Sequence, residues 1–571
     1  MANRTHKSPQ IVIHPAEIVA EMSFDALKGV KVAFINMPLR ESALPNTPPQ
    51  GPALLAARLR KYGAEPTIID LNAYRINNAA ADMGENRPNG RLLTHNEASA
   101  LIAAHFDKHG TPDIIGFSGM ITTLRWQEAM LPVCREAAPD AMLLSGGGLA
   151  TELRAGLFQW MPELDAIAHS EGDDIILVIA WLVGRARAAG ARQWRGHSAF
   201  APYHHGELGG RDRFVFGGDR PKNLDDLPFA AWDLLEEDVL GEPILEKYIG
   251  VPVWGMAANN SSATPFSMQR SLTTVSSRGC PYKCAFCYRG AQGERIYGMR
   301  SAEDLAAEAE WLKRSYDIDF LGFPDDNFAV DKRRIVKLPG ALQGLGLRWG
   351  THTRLDEADE RLDDMAKSGC VYIGFGAESA AERVLHKMDK GGFILRRGLT
   401  RLEGSGDYEF PVTMVDGIRN CRDSGIHANC TWILGYPDED LEDLKTSVAF
   451  ILWQRRLYTE NLNAGTADYE AALQSVNAKM FTATAYPGTA MFREPVVRQK
   501  LAENFSIQFA ENGQPIYNAA FRNYVLELDD ATKILLNLDG EPLYYGAMTM
   551  NQFLEARQFV EEDRLEDILE M

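Results

Sequence analysis

A chain of 571 residues is too long for a single hydrophobic core, so two or three domains are expected. Its 45% apolar and 24% charged residues are those of an ordinary globular protein. With no long apolar run to span a membrane and no apolar core of signal-peptide type at the N-terminus, a cytoplasmic product is expected. A net charge of −19, from 59 basic and 78 acidic residues, argues against a polyanionic partner such as DNA or RNA.

From about residue 28 to 195, short apolar strands alternate with helical patterns. Strands are predicted at Lys31–Met37, Pro66–Asp70, Asp113–Ser118, Ala141–Leu144 and Leu164–Ala168. Between the first two, Leu55, Leu59 and Tyr62 share one helical face that Gly63 closes. Such alternation predicts an α/β unit with a doubly wound, Rossmann-like parallel sheet, whose ligands sit at the carboxyl ends of the strands. The loops there read Met37-Pro38-Leu39, Ser118-Gly119-Met120, Gly146-Gly147-Gly148 and Glu171-Gly172-Asp173. Glycine lets a backbone approach a bulky ligand closely, and a serine hydroxyl can hydrogen-bond it. Nucleotide binding, or packing alone, would use the same residues.

Residues 196–268 lose periodicity and gain Gly, Pro, His and Asn, which reads as a crossing linker. Six strand–helix units follow over 269–499, with strands near Leu272–Ser276, Asp319–Phe323, Leu347–His352, Val371–Gly376, His427–Leu434 and Ala478–Thr482. Repeated βα units predict a curved parallel sheet, a partial (β/α)6 barrel. Residues 500–571 form a small, mostly helical module; its last stretch, Gln552–Met571, has seven acids and two arginines and reads as a solvated helix face.

Seven cysteines are no disulfide framework, and three of them, Cys280, Cys284 and Cys287, fall within eight positions of a Gly-Pro loop after the first barrel strand. Three thiolates at C-x3-C-x2-C spacing can bind three irons of one cubane and leave the fourth iron open. A structural zinc loop needs a fourth ligand, for which Cys370 and His352 are remote candidates.

This loop, with Phe286 before its third cysteine and its place at the head of six βα units, resembles the radical S-adenosylmethionine (SAM) superfamily over about residues 270–495. The resemblance includes Phe323-Pro324-Asp325-Asp326-Asn327, Gly376-Ala377-Glu378-Ser379, Ile433-Leu434-Gly435-Tyr436-Pro437-Asp438-Glu439 and Tyr486-Pro487-Gly488-Thr489, each after a barrel strand. It implies a 4Fe–4S cluster on Cys280, Cys284 and Cys287, and SAM contacts from Phe286, Asp325, Asp326, Arg354, Glu378, Ser379, Leu434 and Tyr436. Asp325 and Asp326 could equally cap the following helix, and Arg354 could form a plain salt bridge. Two departures stand out: Asp438 occupies a position that is usually glycine, and about twenty residues after Lys390 look inserted.

The N-terminal loops in turn resemble cobalamin-binding domains, with Ser118 and Gly146 28 residues apart. That implies cobalamin contacts from Pro38, Ser118, Gly119, Met120, Gly146, Gly147, Gly148, Glu171 and Gly172, with Ser170 replacing the first glycine of a G-E-G-E turn. No D-x-H-x-x-G motif follows the first strand, so no histidine is expected on the cobalt, and His169 is expected to be structural. The resemblance as a whole implies a methyltransferase acting on an unactivated carbon or phosphorus of a small molecule or peptide, supplied with electrons by flavodoxin or ferredoxin. The alternative within the family is a cyclase of the anaerobic magnesium-protoporphyrin ester type. A tRNA methylthiotransferase would carry a second cysteine triad upstream, whereas only Cys134 precedes Cys280 here. The reading outside enzymes is a zinc-stabilised interaction module.

Overall fold

The computed structural model describes residues 14–39, 48–74, 93–190, 194–250, 268–288, 297–529 and 534–571. Its first sheet has seven strands in the order β2-β1-β3-β4-β5-β7-β6. These are β1 (Lys31–Asn36), β2 (Glu65–Asp70), β3 (Ile114–Ser118), β4 (Met142–Gly146), β5 (Ala166–Ser170), β6 (His204–Leu208) and β7 (Arg211–Gly218). The first five are parallel, which places the loops after β1, β3, β4 and β5 along one edge. The helix between β1 and β2, Gln50–Lys61, buries Leu59 and is followed by Gly63 at φ 89°, as the apolar stripe predicted.

The sheet runs on past residue 195. The segment expected to be a linker contributes β7, parallel to β5, and β6, antiparallel to β7. Strand β6 is exposed along most of its length, so it carries no apolar alternation to read. The legible signal was the turn: Gly209-Gly210, both at positive φ, is the two-residue connection that matches hairpin twist.

The second sheet has six strands, all parallel, in the order β8-β11-β12-β13-β16-β17, the half-barrel the six βα units predicted. They are β8 (Ser271–Thr273), β11 (Phe320–Phe323), β12 (Arg348–Arg354), β13 (Cys370–Glu378), β16 (His427–Leu434) and β17 (Met480–Thr482). A short hairpin of β9 (Ser277–Arg278) and β10 (Gly298–Met299) brackets the cysteine loop. The residues that looked inserted form a helical turn, Gly391–Ile394, and a second hairpin, β14 (Leu399–Arg401) with β15 (Glu409–Pro411).

Helices Pro495–Phe505, Ala519–Leu526, Met550–Glu561 and Leu565–Glu570 build the C-terminal module. It bridges the two sheets. Arg522 donates to Glu128 of the first unit at 2.6 and 2.7 Å, while Phe553 packs on Gly435 at the barrel mouth. The acidic final stretch is amphipathic rather than wholly solvated, since Phe553, Ala556, Leu565 and Ile568 are buried. Among the described residues, no helix is long and apolar enough to cross a membrane.

Candidate active site

The carboxyl edge of the first sheet faces the mouth of the half-barrel across a cavity of about 460 Å3. Ser118, Gly146, Gly147, Glu171 and Gly172 line it from one side, and Val275, Arg278, Gly279, Pro324 and Asp326 from the other. Leu54, Leu55, Phe117, Ile175 and Ile176 supply an apolar wall. Pro38, Gly119, Met120 and Gly148 lie outside the lining.

The glycines do different jobs. A Cβ on Gly146 would meet nothing closer than 3.9 Å, so its bare face is open to a ligand. Gly147 has φ +80°, and a Cβ there would stand 2.8 Å from the Gly119 carbonyl oxygen. Gly119 is in turn pressed against Thr123, and its carbonyl accepts from Leu149 N at 3.2 Å. Gly119 and Gly147 therefore lock the loops after β3 and β4 together. Gly147→Ala is expected to cost about 2 kcal/mol through backbone strain, read as a lowered urea midpoint.

Ser170, where related turns carry glycine, adopts φ +71°, which explains the usual preference. Its neighbour His169 lines the cavity, but Nδ1 lies 3.0 Å from Ser170 Oγ and the ring edge abuts Gly217. Burial, with Arg154 nearby, pulls this imidazole down to about 4, so it is neutral.

Glu171 is engaged across the cavity. It accepts from Arg220 Nε and Nη2 at 2.9 and 2.7 Å and from Arg278 Nη1 at 2.9 Å. Arg278 also holds Asp173 with two hydrogen bonds, of 2.5 and 3.1 Å. Arg278 is two residues from Cys280, so this pair ties the cysteine loop to the first sheet. Sequence reasoning missed it, because nothing local marks a partner 105 positions away.

All three loop cysteines are free thiols; Cys284 is buried and Cys287 exposed. Among the described residues, no three His, Cys, Asp or Glu side chains gather closely enough to hold a single ion. Neither remote zinc candidate belongs to the loop. Cys370 begins β13, whose nine residues carry the chain roughly 26 Å to the mouth. His352 is inside β12 against Gly374. The loop does suit a cluster. Burial pushes the Cys280 thiol up, and the charges of Cys284 and Asp326 push the same way, so a thiolate here calls for cationic metal.

The loop is held by a polar network behind it. Tyr282 donates to Glu357 at 2.8 Å, and Thr353 and Asn327 bond the same carboxylate. Arg354 pairs with Asp356 at 2.9 Å, lies 4.0 Å from the centre of the Tyr282 ring, and donates to Cys284 Sγ at 3.5 Å. Its salt bridge is thus real, and it also reaches the loop.

Of the acidic pair, Asp325 is fully engaged. It accepts from Ser276 N at 2.8 Å, from the Ser276 hydroxyl and from Ser277 Oγ at 2.6 Å. Asp326 faces the cavity. Neither caps the following helix, a role that belongs to Asp331. Glu378 stands at φ +66° beside a bulge in β13, with Lys390 Nζ 3.2 Å from its carboxylate. Ser379 is buried against Ser447 and donated to by Ala381 N, which makes it a brace for the strand end. Phe286 and Tyr436 meet edge to face at 6.4 Å, and Leu434 is buried at the end of β16.

Asp438 adopts φ +68°, the conformation for which relatives use glycine. Next to it, Glu439 accepts from Gly435 N at 2.5 Å while its other oxygen is sealed without a partner. Burial pushes this carboxyl up to about 8. The folded chain therefore keeps a proton that the unfolded chain releases near 4.5, and stability falls as pH rises from there towards 8. Glu439→Gln is expected to remove that slope, so that the variant matches or exceeds the parent in denaturant midpoint at pH 8 but not at pH 4.5.

Residues 274–451 match the radical SAM superfamily. That stretch, which holds the half-barrel, is a radical SAM domain, and with the sheet that caps its mouth the chain shares the fold of cobalamin-dependent radical SAM enzymes of known structure. An uncharacterised methyltransferase of Pyrococcus horikoshii is 24% identical, over 83% of this chain and 85% of that protein. The cytidylyl-2-hydroxyethylphosphonate methyltransferase of Streptomyces wedmorensis is also 24% identical, over 90% and 87%. The anaerobic magnesium-protoporphyrin IX monomethyl ester cyclase of Rubrivivax gelatinosus is 25% identical over 58% of this chain, which spans 53% of it. Among solved structures, the radical SAM methyltransferase TsrM of Kitasatospora setae, with cobalamin and a 4Fe–4S cluster bound, superposes with a TM-score of 0.54 at 15% identity, over 90% of this chain and 84% of that one. The enzyme OxsB with aqua-cobalamin and SAM gives 0.55 at 16%, over 86% and 64%.

Proposed function

We propose that the protein is a cobalamin-dependent radical SAM methyltransferase that methylates an unactivated carbon or phosphorus of a small molecule or peptide. The observation that carries this reading is the shared cavity: the loops expected to hold cobalamin and the residues after the first two barrel strands line one space. When bound, the cluster and SAM supply hydrogen abstraction, and cobalamin supplies a methyl group to the resulting radical.

The chain's own part is placement and exclusion of water. Cys280, Cys284 and Cys287 hold the cluster, and Arg354 supports Cys284 from behind. Asp326, the Glu378–Lys390 pair, Phe286 and Tyr436 provide polar and aromatic walls for SAM. Ser118, Gly146 and Gly172 would receive the cobalamin, and His169, with Nδ1 on Ser170 and its ring edge against Gly217, is read as structural and not as a ligand. The proposed units are a cobalamin-binding domain, a partial barrel and a C-terminal module, with flavodoxin or ferredoxin as electron donor.

Methyl-labelled SAM tests this without knowledge of the substrate. Cobalamin-loaded, reduced protein is expected to carry label into the extracted corrin fraction. SAM cleavage to 5′-deoxyadenosine with no label on the corrin would support the cyclase reading instead.

A further inference from the structure

Arg354, the last residue of β12, is 6% exposed, and its planar head meets a different partner on each side. Nε donates to Asp356 at 2.9 Å, Nη2 to the Lys390 carbonyl at 3.4 Å and Nη1 to Cys284 Sγ at 3.5 Å. The guanidinium carbon lies 4.0 Å from the centre of the Tyr282 ring, and Tyr282 is itself fixed by its 2.8 Å hydrogen bond to Glu357. The head is thus held in place with a positive charge against a loop sulfur.

Ion pairing alone does not account for this arrangement. A guanidinium serves a carboxylate best through two parallel N–H···O bonds, yet Asp356 takes one, and both Nη atoms turn to the Cys284 and Lys390 side. The charges around the thiols make that choice consequential. Asp326 and Glu378 set negative charge towards Cys287, while Arg354 sets positive charge towards Cys284 and Cys280. Cys284 is only 9% exposed, so water screens this attraction weakly. A cluster on three thiolates gains one negative charge on reduction, and its potential follows its net charge and the hydrogen bonds to its sulfurs. A fixed cation donating to a ligand sulfur therefore favours the reduced form.

We infer that Arg354 is a positioning residue for electron uptake: its guanidinium, held by Asp356, Tyr282 and the Lys390 carbonyl, stabilises the reduced cluster through Cys284 and so sets the potential at which the site accepts its electron. One electron passes from the external donor, which is oxidised, to the cluster, which is reduced. No bond forms or breaks, and the arginine keeps its proton. This rests on the reading of the cysteine loop as the cluster site, but not on which reaction follows.

The test is an anaerobic redox titration of the cluster- and cobalamin-loaded protein without SAM, the reduced cluster being read by electron paramagnetic resonance. At the potential where the parent is half reduced, R354M should show a ratio of reduced to oxidised cluster about tenfold lower, a shift of about 59 mV for a one-electron couple. D356N, which keeps the guanidinium and removes the negative charge behind it, should move the ratio the other way. R354K, which keeps the charge but not the fork, should fall between R354M and the parent. A residue that merely packs the loop would give no such opposition of sign. R354M strands Asp356 as a buried charge, so if it does not fold, R354K and D356N carry the test, and opposite displacements support the inference. It is overturned if the folded arginine variants keep the parent's ratio, or if they and D356N shift in the same direction. A parent that forms no reducible cluster overturns the reading of the loop and this inference with it, whereas a normally reduced parent with unmoved variants overturns this inference alone.

Discussion

Cys284→Ser is expected to give a folded protein that takes up no intact 4Fe–4S cluster and cleaves SAM at least about a thousandfold more slowly than the parent. The three cysteines act as one unit, so losing any single ligand should cost nearly as much as losing all three. Cys284 is the most sheltered of them, 9% exposed, with the Arg354 guanidinium against its sulfur. A serine oxygen in that place is a hard ligand, poorly matched to iron–sulfur chemistry. Circular dichroism should remain that of the parent, because the half-barrel is held by its own parallel ladders and not by the loop. Iron content and the amount of 5′-deoxyadenosine formed after reduction are the measurements.

Arg278→Met should be the most damaging substitution away from the cysteines. It would leave Asp173, whose side chain is 4% exposed, as an uncompensated buried charge, a loss of about 3–5 kcal/mol. Urea unfolding followed by tryptophan fluorescence should show an earlier transition, and the protein should retain less cobalamin, since Arg278 and Glu171 both line the cavity. Arg278→Lys should recover only part, because a lysine cannot reproduce the two-pronged contact with Asp173. The double substitution Arg278→Met with Asp173→Asn should recover more of the stability than the single change, since no charge is left stranded.

The first five strands of the first sheet and all six of the half-barrel could be read from apolar runs to within a few residues, because parallel strands buried on both faces are rich in Val, Ile, Leu and Phe. The cysteine loop was legible for a different reason: its chemistry is local, three ligands within eight positions. What could not be read depends on distant partners. Nothing around Asp325 says that its carboxylate is taken by Ser276 and Ser277 while Asp326 faces the cavity. The Arg278–Asp173 tie arises only when the two sheets meet, and the Lys390–Glu378 pair only when the chain folds back beside the end of β13. The strand at His204–Leu208 was hidden because an exposed edge strand needs no apolar alternation.

The left-handed residues give a finer lesson. Ser170 and Asp438 both depart from the glycine that related turns use, and both keep the backbone that glycine would adopt, at φ +71° and +68°. Each turn shape has survived the substitution, so a motif that looks broken in sequence still delivers its geometry.

The central claim is that Cys280, Cys284 and Cys287 hold a cluster with one open iron beneath a cobalamin. Anaerobically purified and reconstituted protein should contain about four irons and one cobalt per chain, and the electron paramagnetic resonance spectrum of its reduced cluster should change when SAM is added. One zinc per chain with no iron–sulfur absorbance, or a cluster spectrum indifferent to SAM, would contradict it.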